Sequence, residues 1–243
     1  MRKPIAAVVI IAACAAAAAC SQARSEGAGP TVSRSYQIGD FKQIEVAGPY
    51  DVEVRTGANP TVSAKGSENL LNHTKVEVRG DKLVIGPEDH HGIFSFGWST
   101  QGNANFVVTV PQLSGATIAG SGGIKVDQVR GDSFEGSVAG SGGLDIASLQ
   151  VKALKLAIAG SGNLKAGAGQ AQNAEYEIAG SGDVDAGAVA AQQLKVSIAG
   201  SGNVKAHATG TANIDIMGSG DAEVSGGAKC AVSKMGSGDA RCS

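Results

Sequence analysis

The side chains able to do chemistry in this chain recur at a fixed interval. Two residues beyond the serine of each Gly-Ser-Gly, the chain reads Gly123, Gly143, Asn163, Asp183, Asn203, Asp221 and Asp239. Carboxylates and amides repeated in this way have two uses. They can hold calcium between turns, as glycine-and-aspartate β-roll repeats do. Their oxygens can instead hold the backbone amides of tight corners. The interval is not that of nonapeptide calcium repeats, and four of the seven positions lack a carboxylate. A corner ladder is therefore expected, and no metal site is assigned.

Two residues further on stand Lys125, Asp145, Lys165, Asp185, Lys205, Glu223 and Arg241, and the sign of the charge changes at every step. Enzymes that act on polysaccharides need carboxylates clustered at one point, often beside a basic group or calcium. Here the carboxylates come one per repeat and are interleaved with cations. That arrangement serves stacking better than proton transfer, so no catalytic residue is assigned.

Two other groups of residues carry chemical interest. The segment from Pro87 to Asn103 contains His90, His91, Phe94, Phe96 and Trp98, including the single Trp of the chain. Adjacent histidines have no ligand spacing without a third partner. The segment reads as an irregular loop whose aromatics either cover a part of the fold or form a partner-contact surface. Cys230 and Cys242 are the only cysteines beyond Cys14 and Cys20. They fall at inward positions of the last two repeats and are expected to form a disulfide in an oxidising compartment. There is no C-x-x-C motif. Arg79-Gly80-Asp81 and Arg130-Gly131-Asp132 spell an integrin-binding tripeptide, but Gly-Asp is ordinary turn chemistry.

Such columns demand an element that brings equivalent residues of successive units together. Ala-Gly-Ser-Gly starts at Ala119, Ala139, Ala159, Ala179 and Ala199, and Met-Gly-Ser-Gly follows at Met217 and Met235 after shorter steps of eighteen residues. A fixed period of this size marks a repeat architecture. Within the unit Ser137–Leu156, Leu144-Asp145-Ile146 shows the period-two pattern of a strand with one buried face. Helical periodicity is absent. One unit is then one coil of short strands joined by glycine corners, and coils must stack to bury their apolar residues. Equivalent residues of adjacent coils lie about 4.8 Å apart in a parallel stack. Like charges there repel and opposite charges attract, so the sign alternation fixes the coils in register. The expected fold is all-β, a parallel β-helix with coils of about 20 residues, right-handed because parallel crossovers favour that hand. Val46-Ala47-Gly48-Pro49-Tyr50-Asp51-Val52-Glu53-Val54 is a degenerate copy of the repeat and is expected to form the first coil, with Glu53 continuing the alternation into Lys125. Lys75–Val78 and Lys82–Ile85 flank a hairpin turn. Asn105–Val110 reads as another strand, closed by Pro111.

The N-terminal residues give the location. Met1-Arg2-Lys3 followed by an apolar run to Ala19 reads as a secretory signal, too short for an ordinary transmembrane helix. Small residues before Cys20 resemble a bacterial lipobox, so Cys20 is the expected lipidation site. Cys14 and cleavage after Ala23 are the alternatives. The chain thus divides into a signal (1–19), a flexible tether (20–34), an irregular first part with hairpin and aromatic loop (35–116), and regular coils (117–243). A net charge of −2 gives no reason to expect nucleic acid as a partner. An aromatic content of 4% suits a thin solenoid core rather than a broad one.

The lipobox-like start, the opening Phe41, Ile44, Val46, Gly48, the segment Val108–Leu113 and the serial Gly-Ser-Gly-Asp-Val corners together resemble the head GIN domain family. The resemblance covers the chain from Ser35 onward. It implies a parallel β-helix and an autotransporter-adhesin-like role, and it supplies no catalytic residue to carry over. Two functions then compete. One is a non-catalytic binding or structural protein, held at the outer membrane on its periplasmic or surface side by a lipid anchor, with a glycan or envelope protein as partner and no cofactor. The other is a β-helical enzyme acting on polysaccharides.

Overall fold

Each repeat closes one turn of a solenoid because its inward positions are spaced for two bends. In the unit after Gly143 the buried residues are Leu144, Ile146, Leu149, Val151, Leu154, Leu156 and Ile158. The two-residue alternation stretches to three between Ile146 and Leu149 and again between Val151 and Leu154. Those are the bends, and the Gly-Ser-Gly corner supplies the third. Three flat faces result, here called face A (143–147 in this coil), face B (148–152) and face C (153–159).

The computed structural model describes residues 29–88 and 103–243. In chain order the elements are β1 (Thr31–Tyr36), β2 (Gln43–Ala47), β3 (Asp51–Thr56), β4 (Thr61–Ser67), α1 (Glu68–Asn72), β5 (Thr74–Arg79), β6 (Lys82–Pro87), β7 (Ala104–Val110) and β8 (Gly115–Gly120). The regular coils follow as β9 (Gly123–Gly140), β10 (Gly143–Gly160), β11 (Asn163–Gly180), β12 (Asp183–Gly200), β13 (Val204–Gly218), β14 (Ala222–Ser225), β15 (Lys229–Gly236) and β16 (Ala240–Cys242). The protein is a parallel β-solenoid of about six turns with coils of roughly 20 residues. Neighbouring coils pair in parallel and in register, with Leu144 beside Ile124 and Leu164, and Ile158 beside Val138 and Ile178.

The glycines explain why the corner barely changes. Gly140 has φ +125°, and a Cβ there would stand 2.5 Å from the carbonyl oxygen of Gly120. Gly142 has no unusual φ, yet its Cβ would meet the oxygen of Gly122 at 2.4 Å. The first glycine is needed for its backbone angle and for the close approach, the second for the close approach alone.

The eighteen-residue steps have a defined origin. Ala186 pairs with Ala206, but Ala190 pairs with His207 and Gln193 with Thr211. Three residues are lost at the bend between faces A and B, and one is gained at the bend between B and C. The buried Val189 has no counterpart in the next coil, and the core narrows accordingly.

The first coil sits where the degenerate repeat places it. β2 pairs with β8 through Val46 and Ile118, and β3 pairs with β9 through Val52 and Ile124. The hairpin of β5 and β6 turns at Gly80-Asp81, as expected, and β7 covers the expected strand. Two features depart from the sequence expectation. Thr31–Arg34, assigned to the flexible tether, belong to β1, which pairs antiparallel with β4. Its alternation of exposed and partly buried residues seats Val32 and Tyr36 against the core. The short helix α1 also lies in a region read as strands. It follows Ser67 with Glu68 in its first turn, a favourable start for a helix, and puts Leu70 and Leu71 into the core. Tyr50, replacing the second corner glycine, meets Phe106 edge-on at 5.7 Å, so aromatics fill the wide N-terminal end.

Candidate functional site

The corner column carries a structural duty. Asp183 Oδ1 accepts from the Asn203 backbone N–H at 3.0 Å and from Asn203 Nδ2 at 2.9 Å. Asn203 Oδ1 then accepts from the Asp221 N–H at 3.3 Å, and Asp221 Oδ1 from the Asp239 N–H at 2.8 Å. In the earlier coils, where glycine stands in this column, the same amides bond to backbone, as in Gly143 N–H to Gly122 O and Asn163 N–H to Gly142 O. Side-chain oxygens thus hold corner amides, as the sequence suggests, but the amide held is that of the next coil. The Asp183 and Asp221 carboxylates become intercoil ties.

The alternating charges lie in register on face A. Asp145 stands beside Lys125 and Lys165, Asp185 beside Lys165 and Lys205, and Glu223 beside Lys205 and Arg241. Glu53 extends the column below Lys125, as expected. No neighbouring pair of this column approaches within 4 Å, so their attraction acts through solvent and is weak. Glu53 is instead tied to Arg55 at 2.8 Å. That bond holds its carboxyl below the usual range, with Lys125 adding to the effect. Two shallow grooves run along this face. One of about 540 Å³ is bounded by Asp51, Glu53, Lys125, Asp145 and Lys165. Another of about 440 Å³ is bounded by Asp183, Asp185, Lys205, Asp221, Glu223 and Arg241.

Face C carries a second alternating column that sequence reading missed. Glu135, Lys155, Glu175 and Lys195 follow one another in register. Here the charges do touch: Lys195 lies 2.7 Å from Glu175, and Lys155 lies 3.1 Å from Glu177 and 3.8 Å from Glu175. The hydrogen bond from Lys195 keeps the Glu175 carboxyl below its ordinary range. The bond to Glu177 raises Lys155, and the bond to Glu175 raises Lys195. The signal that could have found this column is the one that found the first, a sign change at every twenty residues.

Face B differs from both. Its groove, of about 630 Å³, is lined by Gln150, Gln170, Gln172 and Gln192 with Arg130 and Lys152. The second Arg-Gly-Asp tripeptide lies within β9, and its exposed aspartate is paired with Lys152 of the next coil at 2.7 Å.

Cys230 and Cys242 form the expected disulfide, joining face C to face A across the mouth of the last coil. Cys20, the alternative Cys14, and the loop residues His90, His91, Phe94, Phe96 and Trp98 lie outside the described residues. Among the described residues no group of three or more His, Cys, Asp or Glu side chains could hold a metal ion. Among the same residues no helix is long and apolar enough to cross a membrane.

A family model described as "Putative auto-transporter adhesin, head GIN domain" matches residues 40–228. No curated protein matches the chain. Among solved structures, a "putative adhesin" from Bacteroides fragilis superposes with a TM-score of 0.79 at 22% identity, covering 88% of this chain and 97% of that one. A "putative lipid binding protein" from Parabacteroides distasonis gives 0.68 at 24% identity, covering 89% and 98%. A "putative adhesin" from Parabacteroides merdae gives 0.66 at 21% identity, covering 89% and 98%. At these identities the likeness is one of fold.

Proposed function

We propose, since the chain belongs to the head GIN domain family of auto-transporter-adhesin-like proteins, that it is an exported, lipid-anchored β-solenoid that binds through its long faces and catalyses nothing. The anchor is Cys20, and the partner is a glycan or another component of the cell envelope. The observation that carries the binding reading is face B. Their backbones are held in the ladder, but the side-chain amides of Gln150, Gln170, Gln172 and Gln192 are not taken up by hydrogen bonds within the protein. Each amide offers donors and an acceptor, the chemistry that matches hydroxyl-rich chains. The small Ala190, in register with Gln170, leaves the groove floor low beside them.

The non-catalytic reading is supported by the engagement of the carboxylates. Asp183 and Asp221 are tied to the next coil, Glu53 is engaged by Arg55, and beyond the first coil the remaining acids of face A are spread one per coil rather than paired. An acid-base pair for glycoside chemistry needs two carboxyl groups facing one bond. The solenoid interior is filled by buried side chains, so a lipid ligand would have to lie on a face rather than inside.

The test combines a glycan array, a turnover assay on acidic polysaccharides and cell fractionation. Binding without cleavage, weakened at least tenfold by Gln170→Ala with Gln172→Ala, is the expected result, together with release from membranes in Cys20→Ala. Cleavage that depends on Asp183 or Asp185 would establish the enzymatic alternative instead. Retention of Cys20→Ala in membranes, with loss in Cys14→Ala, would move the anchor to Cys14.

A further inference from the structure

The solenoid ends on a residue that breaks its own column. On face C one inward column reads Val138, Ile158, Ile178, Ile198 and Ile216, each in register with the last. The next member, paired with Ile216, is Lys234. The neighbouring inward residue Val232 lies beside Ile214 and is 47% exposed, since no coil covers it. The outer edges of β15 and β16 are the free edges of the sheet at this end. Met217 at 63% and Met235 at 72% stand next to each other on the same rim. These two and Val232 are the exposed large apolar side chains among the described residues, and all three lie at this end.

A free strand edge beside an open apolar mouth is a template for another chain. A second copy fits it best, because its own last coil presents the same column spacing and the same exposed apolar residues. Meeting about a two-fold axis, two such ends would set β15 against its counterpart and Val232 against Val232. Lys234 opposes this. Its Nζ donates to the Gly238 carbonyl oxygen at 3.2 Å and lies 3.3 Å from Asp239 Oδ1, which keeps the ammonium over the mouth. A joined pair of ends would bring two ammonium groups into an apolar seam, where charge is costly. We infer that Lys234 is a gatekeeper, and that the end it guards is a latent self-association surface for a second copy of this chain. An inward-pointing lysine at a sheet edge is a known way of blocking edge pairing.

The experiment uses the mature chain, expressed with its own leader and purified in detergent without reductant, in analytical ultracentrifugation at matched detergent density over a hundredfold concentration range. The unaltered protein and Lys234→Arg should remain monomeric. Lys234→Ile should associate at concentrations at least tenfold lower, and adding Val232→Lys in the same chain should restore the monomer by returning a charge to the mouth. Asp239→Asn removes the ion pair but leaves the ammonium, and should stay monomeric. If Lys234→Ile does not fold, Lys234→Gln, one atom shorter but still polar, removes the charge with less disturbance and should associate in its place. The inference is overturned if the uncharged variants stay monomeric throughout, or if Asp239→Asn associates as readily as they do.

Discussion

Tyr176→Phe should make this protein more stable. Tyr176 points inward between Leu156 and Val196 of the adjacent coils and is fully buried. Its own coil makes room for the ring with Ala166, Ala171 and Ala174 at other inward positions. The hydroxyl has no hydrogen-bond partner. A buried hydroxyl without a partner costs about 1–3 kcal/mol of desolvation. The substitution keeps the ring and removes only the oxygen. The void left is about one atom in size, and at ~24 cal/mol per Å³ it costs under ~0.5 kcal/mol. The net expectation is a gain of about 1–2 kcal/mol, read as a higher urea midpoint with unchanged slope. The pH dependence gives an independent check. Burial raises the Tyr176 hydroxyl above the ordinary tyrosine value. A group whose folded value is raised contributes stability that is complete below the unfolded value and is lost as pH rises above it. The unaltered protein should therefore lose stability above about pH 10 by up to ~1.4 kcal/mol per pH unit from this group. Tyr36 and Tyr50 are raised by burial too, so the comparison with Tyr176→Phe isolates the central one. A loss of more than ~0.5 kcal/mol in Tyr176→Phe, at normal slope, would refute the reasoning, because the hydroxyl would then have a partner such as a trapped water.

Two further substitutions separate close approach from charge. Gly162→Ala places a methyl group 2.5 Å from both the Gly142 carbonyl oxygen and Val138 Cγ1, at a residue whose φ is ordinary, and should cost about 1–3 kcal/mol in urea unfolding by overpacking alone. Ser161→Ala beside it should be nearly neutral, and equal losses would show that the corner is not limited by the approach of the coils. Glu175→Lys replaces two attractions on face C by repulsions and should lower stability by about 1 kcal/mol at low salt, shrinking as salt rises. Asp185→Lys, whose column neighbours make no contact within 4 Å, should cost less under the same conditions. A loss at Asp185 that ignores salt would mean a packing defect rather than a charge effect.

The register of this fold was legible because three independent patterns shared one period: the glycine corners, the inward aliphatic residues and the signs of Lys125 to Arg241. Any one of them could arise from composition, but a charge that reverses from one repeat to the next has no purpose unless equivalent positions stack one above another. The same logic placed the first coil through Val46–Val54 and the disulfide through the inward positions of Cys230 and Cys242 in the last two coils. What stayed hidden depended on where the pattern is cut or weak. Thr31–Arg34 of β1 reads as tether because this stretch is polar but for Val32, and the pairing with β4 has no signal in it. The short coils announced a deficit of two, but Gly187-Ala188-Val189 reads as well as any strand, so nothing in the sequence says that three residues leave one bend and one enters another.

Lys234 went unread although the repeat locates it. It precedes Met235-Gly236 as Ile216 precedes Met217-Gly218, and its pairing with Ile216 puts it at an inward position. A repeat protein cannot tell its last coil from an inner one by column chemistry, because each coil is made to receive the next. A break that keeps other strands off an exposed coil has to lie in the inward columns, since those are what a further coil would bury. At the N-terminal end the break is bulky: Pro49 and Tyr50 in the corner, and Phe106 against Tyr50. At the C-terminal end it is a charge and a covalent bridge. The two ends therefore stop by different physics. Covering aromatic residues can be replaced by other apolar bulk, whereas the C-terminal stop rests on an ammonium that a single aliphatic substitution removes.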